Sequence, residues 1–233
     1  MYLERLHDAL PEVRDRIERA CERASRSDPD SVTLVAVTKG HPVEALRAAR
    51  DAGLKVVGEN RVQEARAKWE TAGGLDLTWH LVGHLQRNKA RQALQMFRLI
   101  QSVDSVRLAA SLDQEAAKRA EKARVLIEIN ASGEEVKHGF PVEEALAPVR
   151  EICDLEWVEV VGLMTMAPFT YDESVLRRTF RRTKDLYERC RDNLVRFEGR
   201  YLSMGMTNDF EIAVEEGSNM VRLGTVLFGE RGQ

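Results

Sequence analysis

The 233-residue sequence predicts a single eight-fold β/α barrel of the TIM type, with one extra helix at its N-terminus. Short β-branched apolar runs alternate with longer helical patterns to the end of the chain, and eight such runs can be counted. Strands joined by helices must lie parallel, which leaves an open doubly wound sheet or a closed barrel. Eight units favour closure, and the open sheet remains the alternative. Because no linker interrupts the series, we expect residues 1–233 to form one domain.

The elements follow in a regular order. Tyr2–Ala24 predicts an amphipathic helix, with apolar residues at helical spacing: Leu3, Leu6, Leu10, Val13, Ile17 and Ala20. The predicted strands are Val32–Val37, Leu54–Gly58, Thr78–Gly83, Phe97–Ser102, Arg124–Asn130, Val158–Met164, Arg200–Gly205 and Asn219–Gly224. The fourth and the seventh have the weakest patterns. In the first intervening helix, Pro42 suits the first turn and Gly53 suits a C-terminal stop.

The composition argues against several classes of protein. Asp and Glu number 38 and Lys and Arg 35, so no overall charge draws the chain to nucleic acid or to an anionic membrane. The three cysteines, Cys21, Cys153 and Cys190, are far apart and form no C-x-x-C pair, which argues against a disulfide framework and a zinc knuckle. The N-terminus lacks a signal-peptide pattern, and no apolar run approaches the roughly 18 residues of a membrane span. We therefore expect a cytoplasmic protein with a small-molecule partner.

Polar residues occur at or near the ends of the predicted strands, where β/α barrels build their active sites. They are Thr38, Lys39, Glu59, Asn60, His80, His84, Asn130, Ser203 and Arg222. Lys39 directly follows the apolar segment LVAVT. Burial there, helped by a neighbouring cation, would lower the pKa of its ammonium group and give a neutral amine able to attack an aldehyde. A lysine that simply extends into solvent is the alternative, and position alone does not decide between them.

The loops after the seventh and eighth strands predict a phosphate site, as is frequent in these barrels. SMGMTND offers the Ser203 hydroxyl and Gly205, and RLGT offers Gly224 and Thr225. Glycine allows the backbone amides to approach an anion closely. Either loop alone could be an ordinary turn, but together they favour an anion site.

Arg222 lies two residues before Gly224 and thus on the same face of the strand, where a ring attached to the phosphate would lie. A guanidinium group cannot accept a proton from a pyridine nitrogen, so such a ring would stay unprotonated and act as a weak electron sink. The alternative is an interior arginine that pairs with Glu128 or Glu211.

Seven ordered sequence blocks resemble the pyridoxal phosphate homeostasis protein family, which is related to the N-terminal barrel of alanine racemase. The blocks are LVAVTK, VGENRVQE, WHLVGHLQRNK, IEINASGEEVKHGF, GLMTMAP, LSMGMTNDFEIAV and GSNMVRLGTVLFGER. The resemblance covers nearly the whole chain. Thr207 stands where the family often has serine, and Gly40 and His41 follow the lysine where other residues are common.

The resemblance implies a fold-type III barrel that binds pyridoxal 5'-phosphate (PLP) and lacks the C-terminal β domain of the racemases. It implies that Lys39 carries PLP as a Schiff base and that Ser203, Gly224 and Thr225 hold the phosphate. Arg222 would face the pyridine nitrogen, and Asn60 and His80 would line the ring. Of these assignments, those of Asn60 and His80 depend on the resemblance alone.

Three functions are compatible with such a site. The first is a monomeric PLP carrier that stores or delivers the cofactor to apo-enzymes, without robust turnover. The second is a racemase-like enzyme, which needs acid and base groups on opposite faces of the substrate. Barrel racemases obtain the second group from an added domain and a partner subunit. Because the given sequence ends at Gln233, shortly after the eighth strand, we expect the carrier. The third is a cofactor-free Schiff-base aldolase that binds a sugar phosphate.

Other motifs are assigned no function. His80 and His84 lie on one predicted strand, where their spacing separates the side chains by about 13 Å, so they cannot share a metal ion. The basic run Arg177–Lys184 reads as the solvated face of a helix, with Leu176, Phe180, Thr183 and Tyr187 facing inward. The segment KHGF, with Lys137 and His138, could border the site, but it is assigned no role beyond a loop. No zinc-protease, serine-hydrolase or nucleotide-binding motif is present.

Overall fold

The computed structural model describes residues 1–72, 74–133 and 138–230. Its strands are β1 (Thr33–Val37), β2 (Val56–Glu59), β3 (Thr78–Leu81), β4 (Leu99–Val103), β5 (Ala123–Asn130), β6 (Phe140–Pro141), β7 (Val158–Thr165), β8 (Tyr201–Ser203) and β9 (Met220–Leu223). All pairings are parallel, and β9 pairs with β1 while β4 pairs with β5. Eight strands therefore close into a barrel, which confirms the predicted fold over the open sheet.

The helices surround the barrel. They are α1 (Tyr2–Arg23), α2 (Val43–Asp51), α3 (Val62–Ala72), α4 (Ala90–Met96), α5 (Val106–Ala117), α6 (Leu146–Cys153), α7 (Glu173–Asn193), α8 (Phe210–Glu215) and α9 (Thr225–Phe228). The extra helix α1 packs on α2, α8 and α9 with the predicted apolar stripe, of which Leu6, Leu10 and Val13 are buried. Helix α2 follows Pro42 as predicted, and Gly53 after its end has φ of +79°.

The core forms two layers separated by the strands. Inside the barrel lie Val35, Val37, Val82, Leu99, Leu126, Val161, Met164 and Met220. The outer layer lies between strands and helices and includes Ala36 and Val57. Because alternate strand residues face opposite sides, Val35 and Val37 place Lys39 on the inward-facing side, at the mouth of the barrel.

Three features differ from the prediction or refine it, and a fourth confirms it. The unpredicted strand β6 pairs Phe140 with Ile129 of β5. Strand β8 is shorter than expected, and β7 contains a bulge at Gly162, where a Cβ atom would lie 1.8 Å from the Tyr201 carbonyl oxygen. Helix α7 confirms the inward stripe of the basic run, since Leu176, Phe180 and Thr183 are buried and Tyr187 is partly buried.

The basic face of α7 is paired with acidic side chains. Arg177 and Arg181 both donate to Glu216, and Arg182 pairs with Glu143. This arrangement supports the interpretation of the run as a solvated, ion-paired face. Among the helices of the described residues, none is long and apolar enough to cross a membrane.

Candidate functional site

A cavity of about 380 Å³ opens at the C-terminal ends of the strands. Five of the seven residues predicted to bind a cofactor line it: Lys39, Asn60, Arg222, Gly224 and Thr225. Its wall also contains apolar side chains, among them Val37 and Val82. The volume and the mixed lining are typical of a site for a small molecule.

The residue before Lys39 is held by a buried cluster between the barrel and α3. Thr38 Oγ1 donates to Glu59 Oε1 over 2.6 Å. Lys68 Nζ donates to the same oxygen over 2.7 Å and to the carbonyl oxygen of Thr38 over 2.8 Å. The backbone at Thr38 is thus fixed from the outer side of the barrel.

The residue after Lys39 is held by the same cluster. The backbone N–H of Gly40 donates to Glu64 Oε1 over 2.6 Å, and Lys68 Nζ donates to that oxygen over 2.9 Å. Gly40 has φ of +75°, a conformation that favours glycine. One network of Lys68, Glu59 and Glu64 therefore holds the backbone on both sides of Lys39, whose side chain lines the cavity.

Glu59 itself is fully buried, and its pKa is raised because burial disfavours the charged form, although Lys68 and Thr38 oppose that effect. Its Oε1 atom accepts both of the bonds described above. Its Oε2 atom has no hydrogen-bond partner among the described residues. The positive charge of Lys68 therefore offsets the cost of burying the charged form of Glu59.

Asn60 is placed at the cavity by a close approach to Gly83. A Cβ atom on Gly83 would lie 2.3 Å from both the carbonyl oxygen and the Oδ1 atom of Asn60. No side chain at position 83 could be accommodated without moving Asn60. The Gly83 carbonyl oxygen in turn accepts a bond from Ser102 Oγ over 2.6 Å.

Arg222 starts a chain of hydrogen bonds that runs through the barrel interior. It donates to Ser203 Oγ over 2.6 Å and to the Thr165 carbonyl oxygen over 2.8 Å. Ser203 Oγ donates to Gln101 Oε1 over 2.7 Å. With that amide oxygen as an acceptor, Gln101 Nε2 donates to His80 Nδ1 over 3.1 Å, so the proton of His80 is assigned to Nε2.

His80 and Ser203 are not among the residues that line the cavity, which differs from their predicted location at the ligand. His80 pairs with Gly58, which pairs with Val37, so it lies one pleat below Lys39. Ser203 pairs with Met220, below Arg222. The Ser203 hydroxyl and the His80 imidazole are both buried, and they support Arg222 through the chain of hydrogen bonds. Burial lowers the pKa of His80 to about 4, so its ring is neutral at pH 7. A direct contact of either residue with a ligand stays a prediction.

Arg222 remains a cation although it is buried. Burial lowers its pKa to about 10, while the carboxylates of Asp209 and Glu128 act in the opposite direction. Within the described part of the chain, Arg222 forms no ion pair with either predicted alternative, and Glu211 instead binds Arg16 over 2.7 Å. The neutral oxygens of Ser203 and Thr165 hold the guanidinium group, so its charge stays available to the cavity.

Two carboxyl groups line the cavity near Arg222. The pKa of Glu128 is raised to about 7, first by burial and then by the negative charge of Asp104. Burial also raises the pKa of Asp209, whose Oδ1 atom accepts the backbone N–H of Met206 over 2.6 Å. Glu128 is therefore a group that can exchange a proton near neutral pH.

The two loops predicted to bind phosphate meet at the cavity. The backbone N–H of Arg222 donates to the Gly205 carbonyl oxygen over 3.0 Å. Gly205 has φ of +95°, and a Cβ atom there would lie 2.7 Å from the Ala213 Cβ atom. This turn brings Met206 and Thr207 to the cavity wall. A Cβ atom on Gly224 would lie 3.3 Å from the Val37 carbonyl oxygen, so this loop lies against the end of β1, which leads to Lys39.

Several site residues escaped the sequence prediction. Gln101 could have been found, because it lies two residues after the inward-facing Leu99. His138 of KHGF, a segment to which the sequence assigns no role, borders the cavity, and the prediction of a loop is wrong at Phe140, which belongs to β6. Lys137 lies outside the described residues. The loop after β7, which includes the 82% exposed Phe169, also lines the cavity without a local signal in the sequence.

The lining fits a small aromatic phosphate ester such as PLP. Lys39 supplies an amine and Arg222 a positive charge, and the loops at Thr207 and Gly224 supply hydroxyl and backbone donors. Val37 and other apolar side chains supply a surface for a ring.

Comparisons with known proteins agree with this geometry. The family model "Alanine racemase, N-terminal domain" matches residues 10–232. A pyridoxal phosphate homeostasis protein of Aquifex aeolicus is 41% identical over 227 residues, covering 96% of this chain and 97% of that relative. A crystal structure of an unknown protein from Bifidobacterium adolescentis has a TM-score of 0.91 and 36% identity, covering 97% of this chain and 96% of that one.

The structure of PipY from Synechococcus elongatus with PLP bound has a TM-score of 0.80 and 36% identity. It is matched over 92% of this chain and 100% of PipY. Since the family model and the relatives span nearly the whole chain, the protein belongs to the pyridoxal phosphate homeostasis protein family, within the family of the alanine racemase N-terminal domain.

Proposed function

We propose that this protein binds PLP in the cavity, carries it as a Schiff base on Lys39, and takes part in PLP homeostasis by storing, delivering or buffering the cofactor. The observation that carries the proposal is one cavity lined by the inward-facing Lys39, the cation of Arg222 and the two glycine-containing loops at Gly205 and Gly224. The names of the relatives and PLP in the PipY structure support the same ligand.

When bound, PLP supplies an electrophilic aldehyde carbon, and the residues of the chain position it. The Lys39 amine lies at the end of β1, with its backbone fixed on both sides by Thr38 and Gly40. Thr225 and the amides beside Gly224 would receive the phosphate group. Arg222 would donate to the ring nitrogen, and it would not give up its proton at neutral pH because its pKa is about 10. Asn60 borders the same space and would line the ring.

Absorption spectroscopy tests the covalent attachment. We expect the purified protein to be yellow and borohydride reduction to fix one cofactor on Lys39, located by peptide mass spectrometry. Lys39→Ala should lose the covalent bond and keep weaker binding through the phosphate. Lys55→Ala is the matched control, because Lys55 is exposed and forms a surface pair with Asp76. A colourless wild type that takes up no added PLP, or labelling that persists in Lys39→Ala, contradicts the proposal.

We further propose that the protein carries out no robust catalytic turnover. A racemase-like activity is the second candidate, and one observation favours it: Glu128 lines the cavity with a pKa of about 7 and could move a proton. Chiral analysis of alanine and serine incubated with PLP-loaded protein distinguishes the two. We expect racemisation at background for wild type and Glu128→Gln alike. Sustained turnover that Glu128→Gln abolishes would establish the enzyme instead.

Delivery, assembly and location complete the proposal. We propose that PLP-dependent apo-enzymes receive the cofactor, that the protein is a monomer, and that it works in the cytoplasm. The three cysteines are all buried and unpaired, which suits a reducing compartment.

Titration of an apo-enzyme with the loaded protein should restore its activity faster than spontaneous release of PLP allows. Sedimentation should give one chain per particle, and a stable dimer would contradict that part.

A further inference from the structure

A cluster of two imidazoles and one carboxylate lies beside the cavity and has no part in the proposed binding of PLP. His84 Nδ1 lies 2.9 Å from Asp104 Oδ2, and His138 Nδ1 lies 3.6 Å from the same oxygen. The two imidazole rings are stacked, with centroids 4.4 Å apart and planes inclined by 18°. One ligand atom from each residue lies within 4.8 Å of the others.

Each member of the cluster comes from a different segment. His84 follows β3, Asp104 follows β4, and His138 follows β5. Because parallel strands end at the same side of the barrel, the fold brings these three positions together at its mouth. His84 and His138 also line the cofactor cavity. The cluster is therefore a junction between three neighbouring loops at the rim of the site.

The burial of the three side chains differs in a way that suits a metal site. The Asp104 side chain is only 11% exposed, whereas His84 is 45% and His138 61% exposed. The sheltered carboxylate fixes one donor, and the accessible imidazoles leave room on the solvent side. A bound ion could then keep water or another ligand in its open positions.

The donor types and distances select the class of ion. Zinc is held by imidazole nitrogens and carboxylate oxygens at about 2.0 Å, so neighbouring donors of a tetrahedral site lie about 3.3 Å apart. The observed separations from Asp104 Oδ2 lie on either side of that distance. Ca²⁺ and Mg²⁺ prefer sets of oxygen ligands, whereas imidazole suits divalent transition ions.

We propose that His84, Asp104 and His138 bind a divalent transition-metal ion such as Zn²⁺ at the rim of the cavity. Because the stacked rings hold their in-plane lone pairs nearly parallel, coordination requires the two rings to turn out of the stack until both Nδ1 lone pairs point to one ion. The ion would tie the loops after β3, β4 and β5 together. It would also place a positive charge near Glu128, whose protonation responds to the charges of both Asp104 and His138.

Metal titration of protein freed of PLP tests this site, since PLP and its imines can chelate metal ions themselves. We expect saturable binding of one Zn²⁺ per chain by calorimetry. Co²⁺ should give visible bands of four- or five-coordinate geometry that Zn²⁺ abolishes. His84→Ala, Asp104→Asn and His138→Ala should each weaken Zn²⁺ binding at least about tenfold. Because both histidines are exposed, their replacement should leave the fold intact, and circular dichroism of each variant checks this.

His7→Ala is the matched control, because His7 is an exposed histidine on α1 and should leave the metal affinity unchanged. Lys39→Ala should also retain the ion, which separates failure of this site from failure of the PLP proposal. Absence of saturable Zn²⁺ binding, or equal binding by the His84→Ala/His138→Ala double variant, would overturn the proposal and leave the cluster as hydrogen bonds only.

Discussion

Two buried carboxyl groups, Glu59 and Glu128, lie near the mouth of the barrel in contrasting surroundings. Glu59 faces outward between β2 and α3, where Lys68 and Thr38 both donate to it. Glu128 faces the cavity, and within the described part of the chain it forms no ion pair within 4 Å. Burial raises the pKa of both groups, but among the residues that the structure describes only Glu59 has a cation in direct contact.

The outer charges support the backbone around Lys39, whereas the inner charges serve the ligand cavity. On the outer side, charges are paired with each other, and the pairing holds the backbone on both sides of Lys39. On the inner side, Arg222 is held by neutral oxygens, so its charge and that of Glu128 are directed to the cavity rather than to each other. A site that must bind and release an anionic ligand benefits from charges that are fixed in position without being neutralised.

The largest effect should come from Lys68→Met, which removes the only cation bonded to Glu59 among the described residues. Leaving a buried charge without its partner costs about 3–5 kcal/mol of unfolding free energy. The pKa of Glu59 should rise further, so protonation at lower pH should recover part of the loss. Urea unfolding at several pH values measures it.

Lys118→Met is the control, because Lys118 forms an exposed pair with Glu115 on α5 and should change stability by less than about 1 kcal/mol. The double variant Lys68→Met/Glu59→Gln should recover part of the loss. If Lys68→Met alone cost less than about 1 kcal/mol, the outer cluster would not be a structural support.

Glu128→Gln should have the second largest effect on the free energy of unfolding, and it should stabilise the protein rather than destabilise it. A rise of the folded-state pKa from 4.5 to about 7 corresponds to about 3 kcal/mol of destabilisation once the group is ionised in both states. Between these pH values the folded protein binds more protons than the unfolded chain, so this contribution to stability falls as pH rises. The variant should therefore be more stable than wild type at pH 8 and nearly equal to it at pH 4.5.

The difference in unfolding free energy between wild type and Glu128→Gln isolates the contribution of Glu128 from that of His80. The lowered pKa of His80, about 4, makes stability rise with pH between about 4 and 6.5, and this contribution is present in both proteins. Unfolding curves of wild type and Glu128→Gln across this range provide the test. A constant difference at all pH values would mean that Glu128 is not protonated near neutrality in the folded state.

The fold could be predicted because its periodic patterns are local. The inward parity of Val35 and Val37 and the stripe of α1 follow directly from residue order. Strand β6 could not be predicted, because two residues are too few to show an alternating pattern, and β6 is recognised only by its pairing with Ile129 and Asn130. The short β8 has a local cause, since the positive φ of Gly205 ends the strand early.

The sequence predicted which site residues face the barrel interior better than it predicted how high along the barrel axis each of them lies. Position at the strand ends correctly placed Lys39 and Asn60 at the cavity, and parity with Gly224 did the same for Arg222. His80 and Ser203 also face inward, but the stagger between strands sets how high each residue lies along the barrel axis, and residue order does not encode that stagger. The approach of His138 to His84 depends likewise on how three loops fold over the barrel.

Gln101→Leu tests the inner chain and should have a moderate effect. The change leaves Ser203 Oγ without its acceptor and His80 Nδ1 without its donor, which costs about 1–3 kcal/mol for buried polar groups. Because Ser203 also holds Arg222, PLP affinity should fall as well. Gln95→Leu on the exposed face of α4 should change stability by less than about 0.5 kcal/mol. Unchanged PLP affinity in Gln101→Leu would mean that the chain stabilises the barrel without positioning Arg222.

Thr38→Val should have the smallest effect and completes the comparison on the outer side. The two side chains have nearly the same shape, so the change removes the hydrogen bond to Glu59 Oε1 and little else. That oxygen keeps Lys68, and Lys68 still binds the Thr38 carbonyl oxygen, so the loss of stability should be about 1 kcal/mol. Since the backbone beside Lys39 stays fixed, PLP affinity should change by less than about threefold. A large loss of affinity at unchanged stability would show instead that the Thr38 hydroxyl acts on the ligand site directly, and the separation of outer support from inner binding would fail at this residue.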